Sequence, residues 1–286
     1  MFKDARFISY DNATVFANGL ERSLVEAESL DPPQRCILSC AHDVILYSNT
    51  MNDERKLKLK KAWLDLPPSA CKRLGGKTPI FLGASVALTM HMDNGDRERY
   101  NLPKDRIGKI VGWDCDDKEP AHTAATAHFA FVPKVVYVQF FDKDGNPEAW
   151  THPTLPGTRG VYPVKKKSCI WYVRNNKDQR VRREQTPLTS GWASTIHVAQ
   201  GREMTPIVGL PKGSLPVAAY VALTRTQKSE SIIITGDFDF SVFSTGQPLN
   251  FRNELLLAKL RGNTQEYETL FARYLQRRSQ AQSGRW

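Results

Sequence analysis

Trp192-Ala193-Ser194-Thr195-Ile196-His197-Val198-Ala199-Gln200-Gly201-Arg202-Glu203 and, further on, Ala219-Tyr220-Val221-Ala222-Leu223-Thr224-Arg225 are the two stretches on which the reading of this 286-residue chain turns. The first predicts a helix over Trp192 to Gln200, ended by Gly201, a residue type that closes helices because it accepts a left-handed backbone. On such a helix Thr195 and Ala199 share a face, as do His197 and Gly201. Small and polar groups so arranged suit close approach to a phosphate backbone, which hydroxyl, imidazole and amide groups can bond without reading base sequence. In the second stretch Ser214 is placed to cap a helix with Pro216 in its first turn. That helix ends at Thr224-Arg225, and Ile232-Ile233-Ile234 follows as a buried strand. An arginine at such an end offers a permanently charged, bidentate fork to a phosphoryl group. Each stretch alone also has a plainer reading: an ordinary helix with a satisfied His and Gln, and a cation at a helix C-terminus. Their order and spacing favour the chemical reading.

In that order and at that spacing the two stretches resemble the last two motifs of the superfamily-one DNA helicases, especially the RecD-like and Pif-type branch. Enzymes of that group hydrolyse ATP to move along single-stranded DNA. The resemblance implies that Thr195 and His197 face the DNA backbone. It implies that Gln200, Gly201 and Glu203 lie toward the nucleotide, and that Arg225 is a catalytic arginine finger on ATP. Arg183-Glu184-Gln185-Thr186-Pro187-Leu188-Thr189 resembles the lead-in to the first motif. The likeness spans roughly residues 35 to 245 and is strongest from 183 to 243. Two departures stand out: Val198-Ala199 stands where RecD-like members usually carry Lys-Ser or a similar pair, and Glu203 is the choice of the UvrD-like branch where Thr is usual.

The chain contains no GxxxxGK[ST] phosphate-binding loop. Leu74-Gly75-Gly76-Lys77-Thr78 includes GKT, but Cys71 occupies the position of the first glycine and Pro79 follows where a helix should continue. A phosphate loop needs a strand before it and a helix after it, so this segment reads as a turn. No acidic pair follows an apolar strand in a way that would hold Mg²⁺. The chain therefore reads as the C-terminal portion of a motor. Its expected partners are single-stranded DNA and a first RecA-like domain supplied in cis or in trans, and ATP and Mg²⁺ enter only with that domain. A non-catalytic nucleic-acid-binding module and a truncated helicase remnant are the alternatives.

The fold class this implies is α/β: a second RecA-like domain, with an inserted small Src-homology-three-like β-barrel and a helical C-terminal tail. The expected divisions are an N-terminal helical segment (1–34), a first part of the RecA-like domain (35–105), the barrel (106–184), a second part carrying both motifs (185–245) and the tail (246–286). Arg35 to Ser39 reads as a strand and His42 to Lys61 as a helical stretch. Pro79 to Leu82 and Ser85 to Thr89 read as strands separated by Gly83. Arg106 to Trp113 and Val135 to Phe141 alternate with period two, the latter before a hairpin-like turn, Asp142-Lys143-Asp144-Gly145-Asn146. Cys169 to Val173 followed by Arg180 to Arg183 reads as a further hairpin.

Lys+Arg 40 against Asp+Glu 30 gives a formal charge of +10, a balance that favours a polyanionic partner. Basic clusters fall at Lys56–Lys61, Lys165–Lys167, Arg180–Arg183 and Arg273–Arg278, each of which is also an ordinary solvated face. Trp113, Trp171 and Tyr172 are candidates to stack bases or to fill a barrel core. Five irregularly spaced cysteines and no apolar leader after Met1 point to reduced thiols and an intracellular setting (nucleus, cytoplasm or an organelle matrix) rather than secretion. No apolar run is long enough to span a bilayer. The six histidines do not cluster with Cys or carboxylates, so no metal site is expected.

Overall fold

The computed structural model describes residues 5–46, 52–92, 94–123, 126–177, 179–200, 204–209, 216–226 and 229–235. The expected helical tail, the Arg273–Arg278 cluster, Ser214, Gly201 and Glu203 lie outside them.

The chain opens with β1 (Arg6–Ser9) and α1 (Asn12–Ser29). Asp11 caps α1, its carboxylate accepting the Thr14 N–H at 2.6 Å. The helix buries Phe16, Gly19, Ser23 and Ala27 along one stripe, the spacing of a single helical face. It ends before Asp31-Pro32-Pro33, because proline cannot continue the ladder.

A long antiparallel excursion follows. Its elements are β2 (Ile37–Cys40), β3 (His42–Ile45), α2 (Asp53–Trp63), β4 (Lys77–Ile80), β5 (Ser85–Leu88) and α3 (Asn94–Tyr100). They continue as β6 (Ile107–Asp114), β7 (Val135–Phe140), β8 (Val161–Lys165), β9 (Lys167–Tyr172), β10 (Arg180–Gln185) and β11 (Leu188–Ser190). The strands form a five-stranded sheet ordered β11-β5-β6-β7-β8, a three-stranded sheet β3-β10-β9 and a β2-β4 pair. In β7 the alternation buries Val136, Val138 and Phe140, which join Val86, Leu88, Ile110, Val164 and Leu188 in the main core. The register of β6 on β7 shifts between Ile110 and Gly112, the kind of irregularity that bends a strand.

The chain then returns through β12 (Ala193–Thr195), α4 (Ile196–Ala199), β13 (Pro206–Gly209), α5 (Pro216–Leu223) and β14 (Ile233–Thr235). With β1 these strands make a parallel sheet ordered β12-β1-β13-β14.

Four features differ from the sequence reading. Segment 1–34, which reads as helical, also carries β1, the strand that pairs with both β12 and β13. His42–Ile45 is a strand on β10 rather than the start of a helix. The helix begins at Asp53, capped by the Asn52 side chain, which accepts the Arg55 N–H at 3.0 Å. Segment 35–105, assigned by sequence to the RecA-like half, adds no strand to the parallel sheet among the described residues, because its strands pair antiparallel with one another and with β6, β10 and β11. Finally, Trp192 to Gln200 is not one helix: Ala193–Thr195 is extended on β1, and only Ile196–Ala199 is helical. The hairpin of β9 and β10 pairs along its full length, from Arg180↔Tyr172 to Gln185↔Lys167.

Candidate functional site

The two sequence motifs meet on the parallel sheet. Ile196 and Ala199 of α4 and Ala219 and Ala222 of α5 pack with Ile8 of β1 and Val208 of β13 in one buried cluster. The alanines at three of these four helix positions let both helices lie close to the strands. The motifs are also tied through the backbone: the Arg225 carbonyl accepts the Met204 N–H at 2.8 Å, ahead of β13.

Thr195 is the last residue of β12 and the residue before α4, with an extended backbone (φ −74, ψ 156). It pairs with Ser9, the last residue of β1. The carboxyl ends of parallel strands are where open α/β sheets characteristically bind ligands. His197 is exposed, its ring 6.2 Å from that of Tyr10, itself exposed just past β1. The hydroxyls of Ser9 and Ser194 are buried there without a hydrogen-bond partner among the described residues.

A cavity of about 110 Å³ runs from this strand end to the antiparallel half. Ser194, Thr195 and Val198 line one wall, Thr89, Arg73 and Lys104 the other, and Arg6 and Asn12 also border it. Lys104 is paired with Asp105 at 3.2 Å. The cavity is thus flanked by three cations. Sequence reasoning finds Thr195 but not Arg6, Arg73 or Tyr10. The strand at Arg6–Ser9 is the signal that was needed, and four residues are too few for periodicity to reveal it.

His197, Gln200 and Arg225 do not line this cavity. Gln200 is exposed at the end of α4. Arg225 follows the C-terminal end of α5, and its guanidinium turns back on its own turn. Nε donates to the Val221 carbonyl at 2.6 Å and Nη2 to Thr224 Oγ1 at 2.9 Å. In this conformation it caps the helix, a favourable place for a cation.

No phosphate cradle forms at Gly76-Lys77-Thr78. Lys77 opens strand β4 and pairs with Asp65 at 2.7 Å, while the buried Thr78 hydroxyl donates to the Leu188 carbonyl at 3.1 Å. Gly76 is required there for packing, since a Cβ would sit 2.1 Å from the Leu64 carbonyl oxygen. Among the described residues no group of three His, Cys, Asp or Glu could hold a metal ion, and no helix is long and apolar enough to cross a membrane. All five cysteines are free, and burial pushes the Cys36 and Cys71 thiols up to about 11, leaving them protonated near neutrality.

The chain is similar to Pif1 helicases. It matches the Candida albicans Pif1 helicase at 15% identity over 84% of its own length and 46% of that chain, with a TM-score of 0.48. It matches Bacteroides Pif1 bound to single-stranded DNA at 16% identity, over 92% of this chain and 46% of that one, with a TM-score of 0.49. The Bacteroides helicase in complex with ADP-AlF3 and single-stranded DNA matches at 14% identity over 85% and 45%, with a TM-score of 0.43. The chain thus spans less than half the length of these helicases. No protein-family model matches its sequence, and no curated protein does.

Proposed function

We propose that this chain supplies the second RecA-like domain of an ATP-dependent DNA helicase. The observation that carries this reading is the packing of the two motif helices, α4 and α5, side by side on one parallel sheet. In it, Thr195 and His197 contact the backbone of single-stranded DNA at the ends of β12 and β1, with Arg6 and Arg73 adding positive charge. Gln200, Gly201 and Glu203 approach the nucleotide. Arg225 leaves its cap on Val221 to reach the transferring phosphoryl group as the arginine finger. ATP and Mg²⁺ are held chiefly by a first RecA-like domain in cis or in trans, since the described residues form no phosphate cradle. Within the antiparallel half, β6 to β10 form the inserted small Src-homology-three-like barrel.

The test is a motor assembled with a first RecA-like domain that carries a phosphate-binding loop. Arg225→Ala should lower ATP turnover about a thousandfold or more, the scale of an arginine finger, while leaving single-strand affinity nearly intact. Undiminished turnover sinks the finger assignment. Thr195→Ala with His197→Ala should instead weaken DNA binding and DNA-stimulated turnover. The chain alone should hydrolyse ATP negligibly. The mass of the native polypeptide supplies a second check: a species much larger than 32.3 kDa whose upstream peptides contain GxxxxGK[ST] places the first domain in cis.

A second reading, a non-catalytic nucleic-acid-binding module, is favoured by the inward turn of the Arg225 guanidinium onto Val221. It predicts salt-dependent single-strand binding and no turnover with any first domain.

A further inference from the structure

Cys71 and Cys169 are 98 residues apart in the chain, yet the Cys169 thiol donates to the Cys71 carbonyl at 3.6 Å. Cys169 stands directly across from Arg183 in the register of β9 on β10, on the same face as the buried Trp171. Cys71 packs with Trp63, Trp171 and Val181 in one buried cluster. A carbonyl oxygen lies within about 2.5 Å of the Cα of its own residue. The Cys169 sulfur is therefore within about 6 Å of the Cys71 Cα, a separation at which side-chain rotation brings two sulfurs into bonding range. The other three thiols have different neighbours. The charged groups beside them are Glu26 for Cys36, Lys77 for Cys40, and Glu119 and Asp114 for Cys115.

The two members of the pair differ in access: Cys71 is fully buried, whereas Cys169 is partly exposed. Burial raises both thiols above their ordinary value. The Arg183 guanidinium draws both back down, Asp43 opposes it at each, and Lys72 adds to Arg183 at Cys169.

Cys71 also opens an uncommon turn. Lys72 and Arg73, which follow it, both have left-handed backbones, with φ of 50 and 76, a conformation that residues other than glycine adopt at a cost. The Cys71 carbonyl accepts the Leu74 N–H at 3.1 Å, and the Pro68 carbonyl accepts the Arg73 N–H at 2.8 Å. The turn so held delivers Arg73, with Pro67, Pro68 and Ser69, to the wall of the Thr195 cavity. The residue that anchors this wall is thus the one that meets β9.

We propose that Cys71 and Cys169 are a redox-active pair that a hydroperoxide closes to a disulfide, fixing the Arg73 wall of the cavity to β9. Cys169, the accessible thiol, loses its proton and attacks a peroxide oxygen. The O–O bond breaks, the departing hydroxide takes up that proton as water, and Cys169 becomes a sulfenic acid. The Cys71 sulfur then attacks the sulfenyl sulfur. The S–S bond forms, the S–O bond breaks, and the hydroxyl leaves with the Cys71 proton as a second water. Two thiols are oxidised to one disulfide and the peroxide is reduced to water. The assignment uses the antiparallel half and the cavity wall and does not depend on the motor reading.

The experiment treats the full native chain with hydrogen peroxide, blocks the remaining thiols with iodoacetamide in denaturant, and maps the unreduced peptides by mass. A linked peptide joining Cys71 to Cys169, lighter by two hydrogens and reopened by dithiothreitol, is expected. Its rate of formation should rise about tenfold per pH unit across neutrality, because the attacking species is the thiolate of a group that titrates above 9.0. In Cys71→Ala, Cys169 has no partner and should proceed to the sulfinic acid. In Cys169→Ser, a change at a partly exposed position, Cys71 should remain a thiol. Sulfinic acid at Cys169 of the parent chain without a linkage overturns the pair. So does Cys71 linked equally to Cys36, Cys40 and Cys115, which marks oxidation of unfolded chains, and so does a rate that is flat with pH. Hydrogen exchange reads the consequence: closing the bond should slow exchange across residues 67–74, with no change in peroxide-treated Cys169→Ser. A linkage that forms without slowing exchange there overturns the tie to the cavity wall.

Discussion

Arg183 donates from Nε and Nη2 to the two carboxylate oxygens of Asp43 at 2.8 and 2.7 Å, from Nη2 also to the Trp63 carbonyl at 2.9 Å, and from Nη1 to the Leu74 carbonyl at 3.3 Å. Its guanidinium also lies 5.3 Å from the centre of the Trp171 ring, and both members of the ion pair are fully buried. Removing one member of such a pair strands the other charge away from water, which costs about 3–5 kcal/mol. Arg183→Met should therefore lower unfolding stability by that amount in urea denaturation. Adding Asp43→Leu should recover part of it, because no charge is then left unpaired. A loss below about 1 kcal/mol in the single variant, against the scale expected for a buried pair, would show that the pair does not hold this sheet. In the sequence, Arg180 to Arg183 reads as one basic cluster. Period-two alternation in β10 separates its members: Arg180 and Arg182 face outward, and Val181 and Arg183 face in. The alternation is visible in the sequence, but the reason an arginine can occupy an inward position is not. Its partner Asp43 is distant in the chain, and the Trp63 and Leu74 carbonyls belong to a helix end and a loop that only the fold brings near. By contrast, Thr195 stands out in the sequence as a candidate because its neighbours carry the motif beside it.

At the scale of elements, short helices and strands were the least legible. Ala193–Thr195 is extended because β1 lies beside it, and Arg6–Ser9 carries too little pattern to announce itself. Longer elements with clear punctuation were legible: α1, with Asp11 before it and two prolines after it, and the β9–β10 hairpin. The α1 cap gives a prediction with a pH sign. The hydrogen bond from Thr14 holds the Asp11 carboxyl below its ordinary value of 3.8. A depressed carboxyl contributes stability that is fully present above that value and is lost as pH falls below it. Asp11→Ala should thus cost about 1 kcal/mol at neutral pH, the usual worth of such a cap. The gap between variant and parent should narrow as pH falls below 3.8, as read by thermal melts at both pH values. A gap that stays constant with pH would mean that the carboxylate is not the group stabilising the helix.

At the scale of the molecule, α1 touches both halves. It packs on β1 and β12 of the parallel sheet and on β4 and β11 of the antiparallel one. Ala27 near its end is part of the antiparallel core, and Trp192, just before β12, donates its indole N–H to the α1 carboxylate Glu26. The Ser23 hydroxyl donates to the Gly19 carbonyl and lies 3.0 Å from the Ser190 hydroxyl at the end of β11. Gly19 permits this approach, since a Cβ there would meet the Ser190 Cβ at 3.0 Å and the Ala193 Cβ at 3.3 Å. The helix thus lies against the point where the chain leaves the antiparallel excursion and re-enters the parallel sheet. If a shared helix couples the halves, a substitution at this contact must loosen both. Gly19→Val adds a branched side chain with nowhere to go, and overpacking of this kind costs about 1–3 kcal/mol. Hydrogen exchange should then rise together in β7 of the antiparallel core and β13 of the parallel sheet, since both strands would open through one cooperative event. Faster exchange confined to β1, β12 and β13, with β7 unchanged, would mean that the halves unfold independently. In that case the position of the Thr195 cavity between them would depend on a contact that opens without cost to the antiparallel core.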